Sequence, residues 1–96
     1  MITQVVSYIC NEGQREKFWS DILFERIEQA GKQECGNIRY NFYFALEDKD
    51  ILLLVESWQD SKSLDDHYQS ENFKKLGALK KKYVDRTIIE KYTNNI

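Results

Sequence analysis

Apolar side chains are spaced along this chain in two ways, and the two spacings predict its secondary structure. Four stretches are nearly continuous runs of β-branched, aromatic and other apolar residues, which is typical of strands. Elsewhere apolar residues recur every three or four positions, the period of an amphipathic helix. The pattern predicts strands at residues 2–10, 38–45, 51–58 and 87–92, and helices at residues 14–30, 62–68 and 71–83. Residues 93–96 are expected to fray.

The order of these elements is β-α-β-β-α-β, with two short helices together in the second helical position. This order predicts an α+β fold, a ferredoxin-like split βαβ domain with one four-stranded antiparallel sheet and its helices on a single face. The strands, however, are apolar on both faces. In the third strand the apolar residues are Ile51, Leu53 and Val55 on one side and Leu52 and Leu54 on the other. The face without helices is too apolar for water, so we expect a subunit interface there.

Length and charge limit the partners of the protein. The 96 residues predict a single domain, residues 1–96, and the formal net charge of -2 provides no basic face for nucleic acid. The basic cluster at residues 80–82 is typical of a solvated helix end. No apolar run reaches the roughly 18 residues of a membrane span, and the N-terminus does not resemble a signal peptide. We therefore expect a cytoplasmic protein with no membrane or nucleic-acid partner.

The cysteines and the single histidine give little basis for a metal site. Cys10 and Cys35 have neither CxxC spacing nor a histidine close in sequence. In a reducing compartment both are expected to be buried, structural thiols. A metal would have to be held by one histidine and scattered carboxylates, so we expect no metal.

The register of the hairpin formed by the second and third strands decides which polar residues share a face. A turn at residues 47–50 would place Asn41 opposite Glu56. Arg39 would then lie opposite Trp58. We favour this register because it gives the Glu56 carboxylate polar neighbours. The residues that it gathers on one face are Arg39, Asn41, Tyr43, Glu56 and Trp58.

A turn that starts one residue later, at Asp48, would bring Phe42 and Tyr40 to these positions instead. In either register Glu56 is a carboxylate in an otherwise apolar strand, where it must find a partner, face a pocket or reach a rim. A purely structural network is the alternative to a role in binding, because buried polar groups usually satisfy one another.

His67 is the candidate for proton transfer. It is the only histidine of the chain, and histidine is the side chain whose ordinary pKa lies nearest neutral pH. That property suits it to take a proton from a phenol or an acidic C–H. The alternative is a histidine on the helix surface or a pocket rim with no task. Trp58 likewise has two interpretations, a core residue or an aromatic wall for a flat ligand.

Several short motifs occur in one order between Gly36 and Phe73. They are Gly36-x-Ile38-Arg39-Tyr40, an aromatic strand, Val55-Glu56-Ser57-Trp58-x-Asp60, Leu64-Asp65-x-His67 and Ser70-x-x-Phe73. With these motifs the chain resembles the antibiotic biosynthesis monooxygenase family, small quinol-monooxygenase-like proteins of the dimeric α+β barrel superfamily. The resemblance extends over nearly the whole chain. It implies a homodimer in which the two uncovered sheet faces pack together to form a barrel.

The resemblance also implies a site and a chemistry. Members of the family transform polycyclic phenols, quinols and related small molecules, some of them without metal or flavin. One branch degrades haem and another acts on a small phosphorylated signalling molecule. The family pocket lies between the sheet and the helices, near the residues that match Glu56, Trp58 and His67 in this sequence.

Four positions depart from the patterns of the family. Asn72 stands where many members have a second histidine, so a two-histidine mechanism is not expected. Leu54 and Leu64 replace the Asn and Tyr of polyketide-modifying members. Gly77 stands about where haem-degrading members have an axial histidine, and glycine cannot ligate iron.

Residues and resemblance together predict a cofactor-independent monooxygenase acting on a small aromatic or quinol-type substrate. His67 would be catalytic, taking a proton to form an anion that reacts with oxygen. The substrate-binding residues would be the walls Trp58 and Tyr43, the oxyanion holders Arg39 or Asn41, and Glu56. One alternative is a non-catalytic small-ligand binding or stress-response protein, and another is an isomerase or lyase that uses the same base without oxygen.

Overall fold

The structure is a computed structural model that describes residues 1–93, and residues 94–96 lie outside the described residues. Within residues 1–93 it contains the strands β1 Ile2–Cys10, β2 Asn37–Phe44, β3 Ile51–Trp58 and β4 Val84–Thr93, and the helices α1 Arg15–Phe24, α2 Ile27–Lys32, α3 Ser61–Tyr68 and α4 Glu71–Tyr83. The strands form one antiparallel sheet in the order β2-β3-β1-β4. The predicted ferredoxin-like α+β fold is confirmed, although Thr93 belongs to β4 rather than to a frayed tail.

One face of the sheet, here called the covered face, packs against the helices and forms the core. Alternate residues of β1 and β3 are buried there, as the two-residue period of a strand requires. Their aromatic and aliphatic side chains meet Phe18 and Ile22 of α1 and Ile27 of α2, all of which are fully buried. The residues that β1, β2 and β3 contribute to this core are Ile2, Val6, Tyr8, Tyr40, Phe42, Leu52, Leu54 and Trp58.

The opposite face, here called the uncovered face, carries no helix. Its central residues, including Val5 and Val55, are only half-buried. Toward the edge strand β4, Ile88 is 45% exposed and Tyr92 is 54% exposed. Exposed apolar side chains gathered on one face of a sheet mark a candidate interaction surface. The apolar residues that the sequence places on both faces of the strands are therefore present as expected, and the homodimer stays a prediction.

The single helix expected at residues 14–30 is wrong, because the chain forms α1 and α2 with a break between them. Arg26 at the break adopts a left-handed conformation with φ 57°, which no regular helix contains. Gly31, one residue past the end of the expected helix, lies inside α2. A Cβ there would stand 2.5 Å from Cδ1 of the buried Tyr40 ring. Glycine is required at that point for close packing of α2 on β2, not for a helix stop.

The hairpin register favoured from the sequence is also wrong, and so is its alternative. Tyr40 lies opposite Glu56, and the loop is one residue longer than expected because Ala45 pairs with Ile51. The cause lies outside the hairpin. Arg15 of α1 is buried, and its Nη1 donates to the carbonyl oxygens of Ala45 at 3.2 Å and Asp48 at 3.1 Å. A guanidinium that fills the inside of the loop stabilises this longer connection.

Candidate active site

His67 is buried between α3 and the covered face of the sheet. The carboxylate of Asp60 caps α3 by accepting from the backbone N–H of Ser63 at 2.9 Å, and this start turns Leu64 and His67 toward the core. Only 1% of His67 is exposed. Its ring stacks on the indole of Trp58, with ring centroids 4.6 Å apart and an interplanar angle of 29°. The imidazole is therefore an enclosed group, not a surface or rim residue.

Two carboxylates flank this imidazole. Glu34 Oε1 lies 2.8 Å from Nδ1 of His67, and Glu56 Oε1 lies 3.8 Å from its Nε2. Glu56 is held in place by the indole of Trp58, whose Nε1–H donates to the same Oε1 atom at 2.8 Å. The result is a row of ionisable groups, Glu34–His67–Glu56, which is here called the buried acid–base row.

Glu34 is the member of this row that the sequence did not reveal. It lies in the connection between α2 and β2, in a polar stretch that carries no motif. Asn72 of α4 helps to hold it: the Asn72 Nδ2–H donates to the backbone oxygen of Ile27 at 3.0 Å and lies 3.5 Å from Glu34 Oε2. Asn72 thus supports the row and ties α4 to α2. No local sequence signal marks either contact.

Glu56 is the electrostatically perturbed member of the row. Only 4% of the residue is exposed, and this burial raises the pKa of its carboxyl above the usual range. The hydrogen bond from Trp58 and the charge of nearby His67 partly offset the increase in pKa, while Glu34 adds to it. A carboxylate whose charged form is disfavoured in this way takes up a proton more readily than an exposed glutamate does.

A cavity of about 330 Å³ lies beside the row, between α3 and α4 on one side and β1, β3 and β4 on the other. This volume is in the range of small-molecule sites. Glu56 reaches the cavity wall together with Gln4 and Tyr68. Gln4 Nε2–H donates to the Tyr68 hydroxyl at 2.9 Å. His67 and Trp58 do not line the cavity themselves; His67 lies behind the lining residues Glu56, Tyr68 and Phe73.

The other three residues predicted for the site lie elsewhere. Because of the observed register, Arg39 and Asn41 pair with Ser57 and Val55 of the uncovered face. Arg39 Nη2–H donates to the Tyr43 hydroxyl at 2.7 Å on that same face. The structure therefore brings together His67, Glu56 and Trp58, but it separates them from Arg39, Asn41 and Tyr43 by the thickness of the sheet.

The thiols differ from expectation in one respect. Cys10 is buried as expected, and burial raises the pKa of its thiol to about 11. Cys35 is exposed, because it lies in the turn before β2, and the prediction that it is buried is wrong. Among residues 1–93, no group of three or more His, Cys, Asp and Glu side chains is arranged to hold a metal ion. Over the same residues, no helix is long and apolar enough to cross a membrane.

Comparison with known families gives the class of the protein. Residues 1–78 match the model of the antibiotic biosynthesis monooxygenase family. The match extends from β1 into α4 and includes every member of the buried acid–base row. The chain belongs to the antibiotic biosynthesis monooxygenase family.

Solved structures with the same fold come from several organisms. A conserved protein from Methanosarcina mazei Go1 is 29% identical, with a TM-score of 0.85 over 98% of this chain and 92% of that chain. A protein from Shewanella oneidensis is 21% identical, with a TM-score of 0.85 over 95% of this chain and 87% of that one. A structure described as an antibiotic biosynthesis monooxygenase is 17% identical, with a TM-score of 0.84 and 98% of each chain covered. No curated protein matches the chain.

Proposed function

We propose that this protein is a monooxygenase that acts without a bound cofactor on a small aromatic or quinol-type substrate. Membership of the family supports the reaction class. The observation that carries the proposal is Glu56, a buried carboxyl with a raised pKa on the wall of a cavity of small-molecule size. It presents a proton acceptor to the space that a substrate would fill.

In this proposal Glu56, rather than His67, takes the proton from the substrate hydroxyl. His67 does not reach the substrate but contacts Glu56 from the core side, since its Nε2 lies 3.8 Å from Glu56 Oε1 and the residue is 1% exposed. Glu34 is a positioning residue: at 2.8 Å its carboxylate favours a proton on Nδ1 of His67, which directs Nε2 toward Glu56. The row then resembles the base-and-orienter arrangements that other enzymes use to fix an imidazole.

For a hydroquinone the reaction needs no outside reductant. Loss of the O–H proton to Glu56 gives an electron-rich phenolate, and a ring carbon of this anion forms a C–O bond with dioxygen. As the O–O bond of the resulting hydroperoxide breaks, the same carbon loses its hydrogen as a proton and its bound oxygen becomes a carbonyl. The distal oxygen leaves as water, so one quinol and one dioxygen give one hydroxyquinone and one water. Positioned acid–base catalysis of such proton transfers is worth roughly 10²- to 10⁴-fold in rate.

The walls and the oxyanion donors are assigned to residues that line the cavity. Tyr68 and Phe73 supply aromatic surface, and their rings pack edge-on with centroids 5.2 Å apart. Burial raises the pKa of Tyr68, so its hydroxyl stays a neutral donor. With the amide of Gln4 beside it, this hydroxyl takes the role that the sequence suggested for Arg39 or Asn41.

The uncovered face supports a homodimer of the kind that the family resemblance implies. Ile88 and Tyr92 are each about half exposed on this face, and the half-buried Val5 and Val55 lie opposite each other on the two central strands. Burying this surface against a second copy would remove it from water. Sedimentation equilibrium at micromolar concentration should give twice the mass of one chain, and a stable monomer would contradict the dimer.

Oxygen uptake tests the proposed reaction. The protein is incubated with a panel of benzo- and naphthoquinols in an oxygen electrode, and the wild type is compared with Glu56→Gln. The exposed Glu71→Gln on α4 serves as the matched control. We expect uptake by the wild type and the control and a loss of about 100-fold or more in Glu56→Gln. Absence of uptake across the panel, or equal rates in all three proteins, would refute the proposal.

A second candidate function uses the same residue. A carboxyl with a raised pKa, backed by an imidazole, can transfer protons equally well in an isomerase or lyase that needs no oxygen. Conversion of a substrate under argon, with the same dependence on Glu56, would favour that function over oxygenation.

A further inference from the structure

The polar groups of the cavity lie at two separate levels of the sheet. Glu56 is paired with Gln4 of β1, whereas Thr87 of β4 is paired with Tyr8. Tyr8 comes four residues after Gln4 along β1, so the two levels are about 13 Å apart at the ordinary rise of a strand. The acidic end of the cavity is at the first level.

A cationic end lies at the second level. Lys80 and Lys81, in the last turn of α4, line the cavity there. The Lys80 Nζ atom is 5.6 Å from the centroid of the Tyr8 ring, and the residue is half-buried. The cavity is therefore acidic at one end and basic at the other.

Lys80 has no carboxylate within 4.0 Å among residues 1–93, in contrast to three exposed lysines of α3 and α4. Lys62, Lys74 and Lys75 each lie within that distance of an Asp or Glu. Tyr8 cannot serve as a counter-ion, because burial raises the pKa of its phenol and keeps it neutral. The ammonium of Lys80 lies beside the cavity and over the Tyr8 ring, so an anionic ligand in the cavity would give it a charged partner.

Between the two ends the cavity wall is apolar. Val6, Phe73, Leu76 and Ile89 line this middle section, and Gly77 leaves it open, since a Cβ at that position would meet no atom within 4 Å. An aromatic ring fits such a section by burial of its faces. The spacing of the two ends exceeds one ring, so a matching ligand carries its anionic group on a short side chain or a second ring.

We propose that this site takes an aromatic compound with a hydroxyl at one end, facing Glu56, and one anionic group at the other, bound by Lys80 with Lys81 at the mouth. A carboxylate and a phosphate share the required chemistry. The proposal that such a compound is the substrate rests on the proposed function. The proposal that the site prefers such a compound as a ligand rests on the cavity alone.

Binding measured under argon tests the preference without any turnover. The probes are 2,5-dihydroxyphenylacetate and its methyl ester, which differ in one negative charge, titrated by isothermal calorimetry at low salt. The variants are Lys80→Met, which keeps the aliphatic stem over Tyr8, and Lys80→Arg, which keeps the charge. Lys74→Met, on the exposed side of α4, is the matched control.

We expect the acid to bind about tenfold or more tightly than the ester in the wild type, the size of a charge-assisted contact. This preference should disappear in Lys80→Met and persist in Lys80→Arg and Lys74→Met. Competition by inorganic phosphate that depends on Lys80 would assign the end to phosphorylated compounds, and a lack of competition would assign it to carboxylates. Equal affinities for acid and ester, no binding of either, or a preference that survives Lys80→Met would overturn the proposal.

The two proposals can fail separately. Oxygen uptake on neutral quinols, with no preference for the acid, would remove the anionic substrate and leave the monooxygenase. A Lys80-dependent preference for the acid under argon, without oxygen uptake in air, would remove the monooxygenase and leave the anionic ligand.

Discussion

Replacement of His67 by alanine should remove a large part of the free energy of unfolding, in addition to its effect on activity. The ring is 1% exposed and stacks on Trp58 at 4.6 Å, with further edge contacts to Tyr40 at 5.6 Å and Phe73 at 5.4 Å. The substitution would leave a cavity under α3. It would also leave the carboxylates of Glu34 and Glu56 facing each other without the imidazole between them.

The cost has two parts. Removal of a buried aromatic ring typically costs about 3–5 kcal/mol, and the smaller imidazole should fall at or below the lower figure. Loss of the hydrogen bond to Glu34 adds about 1.5–3 kcal/mol, because a charged group is left without its partner. With about 3 kcal/mol for the ring, the sum is about 4.5–6 kcal/mol. This is comparable to the lower end of the total stability of a domain of this size, which is about 5–15 kcal/mol.

Urea unfolding, followed by circular dichroism at one protein concentration, measures this cost. His67→Phe separates its parts, since phenylalanine keeps a ring against Trp58 but makes no hydrogen bond to Glu34. Asp65→Ala, exposed on the same helix, controls for the general effect of truncating α3. We expect His67→Ala to lose the most free energy of unfolding and His67→Phe to lose less, because it keeps the packing of a ring. Asp65→Ala should stay within about 0.5 kcal/mol of the wild type. A loss below about 1 kcal/mol for His67→Ala would refute the enclosed position of the ring.

Three further outcomes are expected. Gly31→Ala should destabilise the fold by about 1–3 kcal/mol, because the new Cβ would stand 2.5 Å from the Tyr40 ring, and urea unfolding would show this despite the better helix propensity of alanine. Arg26→Gly should raise stability by about 0.5–1 kcal/mol, because glycine adopts the left-handed φ of 57° without strain; a lower urea midpoint would contradict this. Glu56→Gln should become more stable relative to the wild type as the pH rises. Folding raises the pKa of Glu56, so the carboxyl is protonated in both states at low pH and disfavours the folded state once it ionises. The urea midpoint of the variant minus that of the wild type should therefore be larger at pH 8 than at pH 4. An equal difference at both pH values would contradict the raised pKa.

Much of the fold could be predicted because its signals are local. The runs of apolar residues predict β1 and β3 with the observed bounds, since a strand buried on one face and half-buried on the other needs apolar residues at nearly every position. Side chains of the kind that cap helices stand at the starts of α3 and α4: Asp60 accepts from the backbone N–H of Ser63, and Ser70 accepts from that of Phe73.

The errors come from contacts between residues distant in sequence. Arg15 sets the length of a hairpin loop that begins 30 residues later, so no turn rule could give the register. That error of register placed Arg39, Asn41 and Tyr43 on the wrong face, because a shift of one residue turns every side chain of a strand over. The break at Arg26 was missed because most apolar residues on either side of it still follow one helical period.

The residues of the candidate site could likewise be predicted only in part. The motif spacing places Glu56, Trp58 and His67 together, and the structure brings these three into contact. It does not indicate which of them faces the cavity, because that depends on how α3 and α4 pack over the sheet. Glu34 and Lys80 lie in polar segments that look like solvated surface until the tertiary fold places them beside His67 and Tyr8.

The role of Glu56 as the base is tested most directly by the pH dependence of oxygen uptake with a quinol that the wild type consumes. The ionised carboxylate takes the proton, so the wild-type rate should rise with pH through the raised pKa of Glu56 and then level off. Glu56→Gln should be slower by about 100-fold or more and should lack this rise. A wild-type rate that does not change between pH 4 and pH 8, or a Glu56→Gln variant with the wild-type profile, would contradict the role.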